Sequence, residues 1–297
     1  MTRRGWLLFV ALCVIWGIPY LLIKVAVREI SPASLVFLRT AIGALVLLPL
    51  AAARGDLRAL LPHWRPIALF TAVEIAMPWL LLADAERRLT SSLAGLLVAA
   101  VPLAGVVIAR LSGSPEPLGE RRLGGLWVGL AGVAALLGLD VRGGDLGAVG
   151  EMVLVVIGYA VGPMVVSRRL ADVPTLDEVA VSLGLGALAY APVGVAQLPP
   201  ALPAPEVIGA VVVLGVLCTA VAFVLFFQLI AEVGPVRATV VAYVNPAIAV
   251  AAGVALLGEP LTVGTVAGFA LILAGSWLAT GSRAPAVAAP AQPVASS

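Results

Sequence analysis

The chain has 297 residues, of which 62% are hydrophobic and 11% are charged, and its mean hydropathy is +1.12. A soluble domain carries about 25% charged residues, so this composition excludes a water-facing surface over most of the chain. The sequence therefore predicts an all-α integral membrane protein with the lipid bilayer as its solvent. The net charge of +2 and the scattered basic residues indicate no nucleic-acid partner.

The sequence contains few residues that could bind a metal or a cofactor. Cys13 and Cys218 lie in separate apolar stretches, and His63 is the only histidine. Neither cysteine has the spacing of a metal or redox motif, and no Walker-type phosphate loop is present. We predict no catalytic residue, no metal and no cofactor, and we expect any transport to be driven by a gradient.

Ten apolar segments follow one another along the chain, each near the roughly 20 residues that a helix needs to span the hydrocarbon core. The first follows Arg3 and Arg4 as a signal peptide would, but it is too long and lacks a cleavage site, which predicts an uncleaved helix. Residues 282–297 are predicted to be a disordered cytoplasmic tail. The predicted helices are 6–27, 33–53, 66–83, 91–111, 123–139, 146–166, 176–195, 206–230, 235–257 and 262–280.

The loops differ in basic content, which predicts the orientation. With the N-terminus in the cytoplasm, most of the 18 Lys and Arg residues fall on the cytoplasmic side. The positive-inside rule therefore predicts a multi-pass protein of the plasma or inner membrane with both termini cytoplasmic.

An internal repeat relates the two halves, residues 1–139 and 146–281. Pro19 and Pro163 are 144 residues apart, and so are Pro102 and Pro246. Each half contains five predicted helices, and because five is odd the halves must insert with opposite orientations. Inverted repeats are typical of secondary transporters that hold substrate near the midplane between the halves.

Glycines repeat in the same way after the offset becomes 143. Gly125 and Gly132 correspond to Gly268 and Gly275 in the fifth and tenth segments. Small residues at this spacing let helices approach closely, so we predict tight helix packing there.

Several short motifs have an order and duplication that resemble the EamA-type drug/metabolite transporter superfamily. The resemblance covers nearly the whole chain, with Ser114-Pro115 departing from the glycine expected there. It implies ten helices, cytoplasmic termini, export or exchange of small metabolites, and a cavity built mainly from the first, third, fourth, sixth, eighth and ninth helices. The motifs are Trp16-Gly17 ahead of Lys24, Pro32 with Arg39, Ala99-Ala100-Val101-Pro102, Tyr243-Val244-Asn245-Pro246, Glu116-Pro117-Leu118 and Gly258-Glu259-Pro260-Leu261.

Glu74 is the most conspicuous polar residue, because it lies near the middle of the third segment. An ionised carboxylate in hydrocarbon costs several kcal/mol, so the side chain should face the interior or a wet cavity. It is either a contact for a substrate amine, a proton-coupling carboxylate, or a protonated structural group. Protons are therefore a possible coupling ion.

Two cations lie in the first two segments. Lys24 and Arg39 either attract an anionic group of a substrate, or Lys24 extends to the lipid headgroups and Arg39 pairs with a carbonyl or with Glu29. Trp16 and Tyr20 share a helical face with Lys24 and line a cavity or pack against a helix. Further cavity candidates are Trp79, Asn245, Tyr243 and Tyr159.

Prolines inside apolar segments are the candidates for helix breaks and gating. Each one removes a backbone hydrogen bond and clashes with the carbonyl four residues earlier. The duplicated pair Pro102 and Pro246, with Pro19 and Pro163, therefore predicts bending points beside the cavity.

The sequence favours a secondary-active exporter of small amphipathic metabolites, such as amino acids or related compounds. A membrane-embedded enzyme acting on lipid is one alternative, although the carboxylates are dispersed. A scaffold without transport activity is the other, and dry packing around Glu74 would favour it. The sequence predicts neither the substrate nor the oligomeric state.

Overall fold

The computed structural model describes residues 1–55, 57–113, 119–140, 146–234, 238 and 240–280, of which residues 137–140 are described by their backbone alone. Within that part the chain is helical and contains no β-strand. The prediction of an all-α protein is thereby confirmed. The Glu116-Pro117-Leu118 motif and the predicted tail at 282–297 lie outside the described residues.

The helices follow the predicted apolar segments closely. Eight of them are long and apolar enough to cross a membrane, namely α1 to α4, α6 to α8 and α10, and α9 is a shorter apolar helix. They are α1 (Arg3–Ala26), α2 (Pro32–Ala52), α3 (Leu57–Ala85), α4 (Ser91–Leu111), α5 (Glu120–Asp140), α6 (Leu146–Arg169), α7 (Thr175–Ala196), α8 (Pro205–Val233), α9 (Val241–Leu257) and α10 (Val263–Thr280).

The main helix contacts join one half of the chain to the other. Helix α2 packs on α7, α4 packs on α9, and α5 packs on α10. Helix α1 packs on α8 and α9, and α6 packs on α3 and α4. Exchanging each helix for the one five places later leaves this set of pairs unchanged.

The α5–α10 contact is made by glycine backbones, as predicted. A Cβ on Gly132 would come to 2.8 Å from the carbonyl oxygen of Gly268, and one on Gly275 would meet the backbone of Gly125 and Gly129. Because no side chain fits in this contact, the two helices approach closely along it.

Two of the four predicted prolines lie where a helix is interrupted. Helix α1 breaks at Ile18 and restarts at Pro19, and α4 breaks at Ala99–Ala100 just before Pro102. Proline is tolerated in the first turn of a helix, where its missing N–H has no helical partner. Pro163 and Pro246 lie inside the continuous helices α6 and α9.

Helices α3 and α8 each contain a π-helical segment at corresponding positions. The segments are Thr71–Ala76 and Val216–Val221. A π segment widens the helical turn, and such segments occur frequently at functional sites. Glu74 lies in the first segment and Thr219 in the second.

Candidate functional site

Arg39 on α2 is a charged side chain inside the bundle that several contacts hold in place, and only 8% of the residue is exposed. Its Nε donates to the hydroxyl of Thr219 at 3.0 Å, and its guanidinium carbon lies 3.6 Å from the ring centroid of Trp79. Thr219 in turn donates to the carbonyl of Leu214 at 2.8 Å, a bond across the π segment. Helices α2, α3 and α8 thus fix the guanidinium between them.

The outer fork of Arg39 lacks such partners. Among the described residues, none accepts a hydrogen bond from its two terminal nitrogens. A guanidinium fork matches the two oxygens of a carboxylate, and such paired hydrogen bonds are among the strongest in proteins. The interaction with Glu29 considered from the sequence is not made, because the Glu29 carboxylate accepts from the backbone N–H of Ala204 at 2.9 Å.

The other predicted aromatic residues lie in the core of the bundle. Tyr159 on α6 packs against both hydrophobic core clusters, one of which contains Tyr20 on α1 and the other Trp79 on α3. Trp16 packs instead on α8, with ring centroids 5.9 Å from Phe223 and 4.8 Å from Phe226. The structure therefore brings Trp79 to Arg39, Tyr159 to the core clusters that contain Tyr20 and Trp79, and Trp16 to a neighbouring aromatic cluster.

Glu74 lies against α6, where Gly162 leaves room for its carboxyl group. Its Oε2 is buried and has no hydrogen-bond partner among the described residues. The Glu74 carboxyl therefore lies in the contact between α3 and α6, on a residue that is half-buried as a whole.

Glu86 is a second buried carboxylate, which the sequence did not single out. It follows α3 directly, is 0% exposed, and neither of its oxygens has a partner in the described part of the chain. Its neighbours in sequence are Asp84, Arg87 and Arg88, so the sequence predicts a solvent-exposed carboxylate in a polar loop. Its burial arises from tertiary contacts.

Lys24 is held next to Glu86 by the backbone of that loop. Its Nζ donates to the carbonyl of Glu86 at 2.5 Å and to that of Leu89 at 2.7 Å. The side chain therefore turns into the protein, and the extension to the lipid headgroups considered from the sequence is not made.

Asn245 and Tyr243 make structural contacts away from Arg39. With its nitrogen turned to donate, the Asn245 amide reaches the carbonyl of Val241 at 2.9 Å and that of Cys13 at 3.3 Å. The Tyr243 hydroxyl lies 3.1 Å from that of Thr280, at the end of α10. The structure does not bring these two residues to the Arg39 cluster.

A carboxylate in the loop before α10 binds the start of α4, and we call this arrangement the Glu259 clamp. One oxygen of Glu259 accepts from the N–H and hydroxyl of Ser91, at 2.7 and 3.0 Å. The other accepts from those of Ser92, at 2.9 and 2.5 Å. Burial by itself would raise the pKa of the Glu259 carboxyl, but the bonds from Ser92 and Ser91 outweigh it and hold that pKa below its usual value.

Other polar contacts lie at the same end. Arg88 pairs with Glu151 at 2.6 Å and with Asp84 at 2.8 Å. At the opposite end, α3, α4 and α6 leave an open pocket of about 190 Å³. The pocket is lined by Leu69, Ile108, Ser112, Val161, Met164, Val165, Arg168 and Arg169.

Comparison with known proteins agrees with this architecture. The model of the EamA-like transporter family matches the chain twice, over residues 3–138 and 147–281. The chain belongs to this family. The resemblance stated from the sequence motifs is therefore confirmed, and with it the assignment to membrane transporters.

Named relatives come from Escherichia coli. The chain is 31% identical over 261 residues to the uncharacterized inner membrane transporter YedA of strain K12, covering 85% of this chain and 82% of that protein. The YedA proteins of strains O6:H1 and O157:H7 match equally. One solved crystal structure superimposes with a TM-score of 0.65 at 24% identity, over 94% of this chain and 97% of that one, which speaks for the fold alone.

Proposed function

We propose that this protein is a secondary-active exporter of small amphipathic metabolites, such as amino acids or related compounds, in the inner membrane. The observation that carries the proposal is Arg39, a buried cation fixed by Trp79 and Thr219 with its outer fork unpaired among the described residues. A cation in the interior of a membrane bundle is costly unless an anion reaches it, so such residues mark substrate pathways.

Ten crossings in two inverted repeats are the proposed architecture, with α5 and α9 completing the eight longer apolar spans. Three observations support it. The family model matches each half, the helix pairs map onto themselves when the halves are exchanged, and a π segment recurs in α3 and α8. Basic residues favour cytoplasmic termini. The Arg39 site then lies between the repeats, where alternating access requires it.

The proposed substrate carries a carboxylate, an amine and an apolar part. The carboxylate binds the fork of Arg39, and the amine binds Glu74. Glu74 lies five residues before Trp79 on α3, and the guanidinium of Arg39 lies 3.6 Å from the Trp79 ring centroid, so both groups are reached from the same stretch of α3. Trp79 and Tyr20 offer aromatic surface to the apolar part.

Alternating access needs one end of the site to open while the other closes. We propose that the Glu259 clamp closes one end, which positive-inside counting makes the outer end, and that the repeats rock about the broken helices. Pro19 and Pro102 lie at the two interruptions and act as hinges. Pro246 and Pro163 are the corresponding bending points of the second repeat.

Two measurements test the function. Untargeted analysis of medium from a deletion strain and an overexpressing strain should show amino acids or related compounds accumulating with expression. The purified protein in proteoliposomes should then move those compounds in response to an imposed gradient. An absence of gradient-dependent flux over a broad metabolite panel would contradict the proposal.

A further inference from the structure

The open pocket of about 190 Å³ lies near the start of α3 and the ends of α4 and α6, and the proposed transport cycle does not use it. Most of its lining is apolar, with Leu69 from α3, Ile108 from α4 and Met164 from α6. Two cations, Arg168 and Arg169 in the last turn of α6, also line it. The pocket is therefore an apolar groove with two positive charges in its lining.

The pocket lies on the side of α6 that faces lipid. Val153 and Ile157 are 52% and 40% exposed in the middle of this apolar span, so their side of the helix contacts the bilayer. Val161, Met164 and Arg168 continue the same stripe to the end of the helix, at steps of four, three and four residues. Acyl chains can therefore reach the groove from the side of the bundle.

The proposed substrate site contacts a different face of α6. The Glu74 carboxyl lies against Gly162, and the carbonyl of Val73 lies against Gly158. These two glycines are four residues apart and form a stripe about a third of a turn away from the lipid-facing one. A metabolite bound at Glu74 therefore does not occupy the pocket.

The arginines of the pocket have no anionic partner in the described part of the chain, where neither guanidinium forms an ion pair or a hydrogen bond. The sequence contains no Asp or Glu at residues 57–73, 91–111 and 152–169, the parts of α3, α4 and α6 that include the pocket lining. The helix dipole alone favours a cation at the end of a helix, but it does not explain an apolar groove beside that cation. An anion with an apolar part would satisfy both features.

Trp64 and Arg65 indicate that lipid headgroups lie near this pocket. Trp64 is 59% exposed, and the guanidinium carbon of Arg65 lies 5.3 Å from the centroid of its ring. Arg65 precedes the pocket residue Leu69 by about one helical turn. Exposed tryptophans at the ends of membrane spans lie at the level of the headgroups. The arginines of the pocket are thus placed where a phosphate of the bilayer would be.

We propose that this pocket binds an anionic phospholipid, with the phosphate on Arg168 and Arg169 and one acyl chain along Val161 and Met164. The fork of a guanidinium matches phosphate oxygens, and paired hydrogen bonds of this kind are strong. Basic pockets between membrane helices on the cytoplasmic side bind anionic headgroups, and counting of basic residues places this pocket on that side. The lipid site is independent of which substrate the protein transports.

Native mass spectrometry of the delipidated full-length protein in detergent tests the headgroup preference. The probes are phosphatidylglycerol and phosphatidylcholine with the same acyl chains. The wild type should bind phosphatidylglycerol about tenfold more tightly, because its net negative charge is not offset by a choline. Equal affinities for the two lipids would overturn the proposal.

A double variant tests the two arginines. Arg168→Gln with Arg169→Gln should abolish the preference for phosphatidylglycerol. Arg3→Gln with Arg4→Gln removes two cations from the start of α1, on the same side of the membrane but outside the pocket, and should keep the preference. An equal loss in both double variants would mean a general attraction to basic residues and would overturn the site.

A variant that fills the groove tests the acyl chain while leaving both arginines in place. Met164→Trp should weaken phosphatidylglycerol binding about tenfold, because the buried contact of the chain is lost. Val153→Trp lies on the same stripe outside the pocket and should bind like the wild type. Unchanged binding by Met164→Trp overturns the proposal, and this variant decides the question even if the double arginine variant does not insert.

A soluble anion is the competing occupant. Glycerol 3-phosphate carries the phosphate without the acyl chains, so it should not displace phosphatidylglycerol at equal concentration. Displacement by glycerol 3-phosphate, or by a compound that the protein transports, would assign the pocket to soluble anions and overturn the lipid site. Because no flux is measured, a failure of the transport proposal leaves these binding results valid.

Discussion

Arg39 and Glu259 are both charged side chains that join the two halves of the chain, but their hydrogen-bonding capacity is used differently. Each oxygen of Glu259 accepts two hydrogen bonds, and the group fastens α4 to the loop before α10. Arg39 is fixed through Nε and the face of its guanidinium, while its outer fork has no described partner. A saturated charge maintains a structure, and an unsaturated one is available to a ligand.

Removing the saturated charge should have the largest effect on stability. Glu259→Ala deletes four hydrogen bonds and exposes the N-terminus of α4, so we expect a loss of about 3 kcal/mol in the free energy of unfolding. Thermal unfolding in detergent measures it. Glu206→Ala removes an exposed glutamate from the first turn of α8 and serves as the control. Equal stability of the two variants would show that the Glu259 clamp does not contribute to the stability of the folded protein.

Gly253 lies behind the clamp and should be the next most sensitive position. A Cβ there would meet the Glu259 carboxylate and come to 2.5 Å from the Ser92 hydroxyl. Gly253→Ala should therefore cost about 2 kcal/mol of stability through overpacking. Gly150→Ala is the matched control, because nothing lies within 4 Å of its Cβ. A Gly253→Ala variant as stable as Gly150→Ala would mean that the Glu259 and Ser92 side chains move aside to accommodate the added Cβ.

Glu74 belongs with Arg39 on the ligand side of the comparison. Glu74→Gln should leave thermal stability nearly unchanged, since Oε2 has no described hydrogen bond to lose. Transport of substrates with an amine should fall about tenfold, because a charge-assisted contact of about 1.5 kcal/mol is lost. Proteoliposome flux measures it, with the same compounds lacking the amine as controls. Full retention of flux and of its pH dependence would make Glu74 a structural residue.

Acid should weaken the Glu259 clamp in the wild type. It should have no such effect on a variant that lacks the Glu259 carboxylate. The pKa of Glu259 is lowered in the folded protein, so its contribution is present above the unfolded-state pKa and is lost as the pH falls through the folded value. The stability difference between wild type and Glu259→Gln should therefore shrink on acidification. Melting temperatures across a pH series measure this, and a difference that grows with acid would reverse the sign.

Hydropathy predicts where the helices of this fold lie, but it does not predict where each helix begins and ends. The predicted segment 91–111 coincides with α4, whereas α3 begins at Leu57 because a short 3₁₀-helical stretch, Leu57–His63, precedes the predicted segment. Helix α9 begins at Val241, several residues after the predicted start. Apolar composition locates a span, and local turns and polar caps determine where it ends.

The site shows the same division. Arg39, Trp79, Tyr20 and Tyr159 were predictable, because polar and aromatic groups inside apolar segments are few. The burial of Glu86 and the contact of Glu259 with Ser91 and Ser92 were not predictable. Both acids lie outside the apolar segments and look like solvated loop charges. Only tertiary packing buries Glu86 and brings Glu259 to the start of α4.

The measurement that tests the central claim most directly is proteoliposome flux of Arg39→Gln beside Arg87→Gln, for every compound that the wild type moves. We predict that Arg39→Gln loses at least about tenfold for compounds with a carboxylate, since a charge-assisted pair contributes about 1.5–3 kcal/mol. Esters of the same compounds should be affected far less, and Arg87→Gln should transport like wild type. Undiminished carboxylate flux in a folded Arg39→Gln protein would contradict the assignment of Arg39 as the anion site.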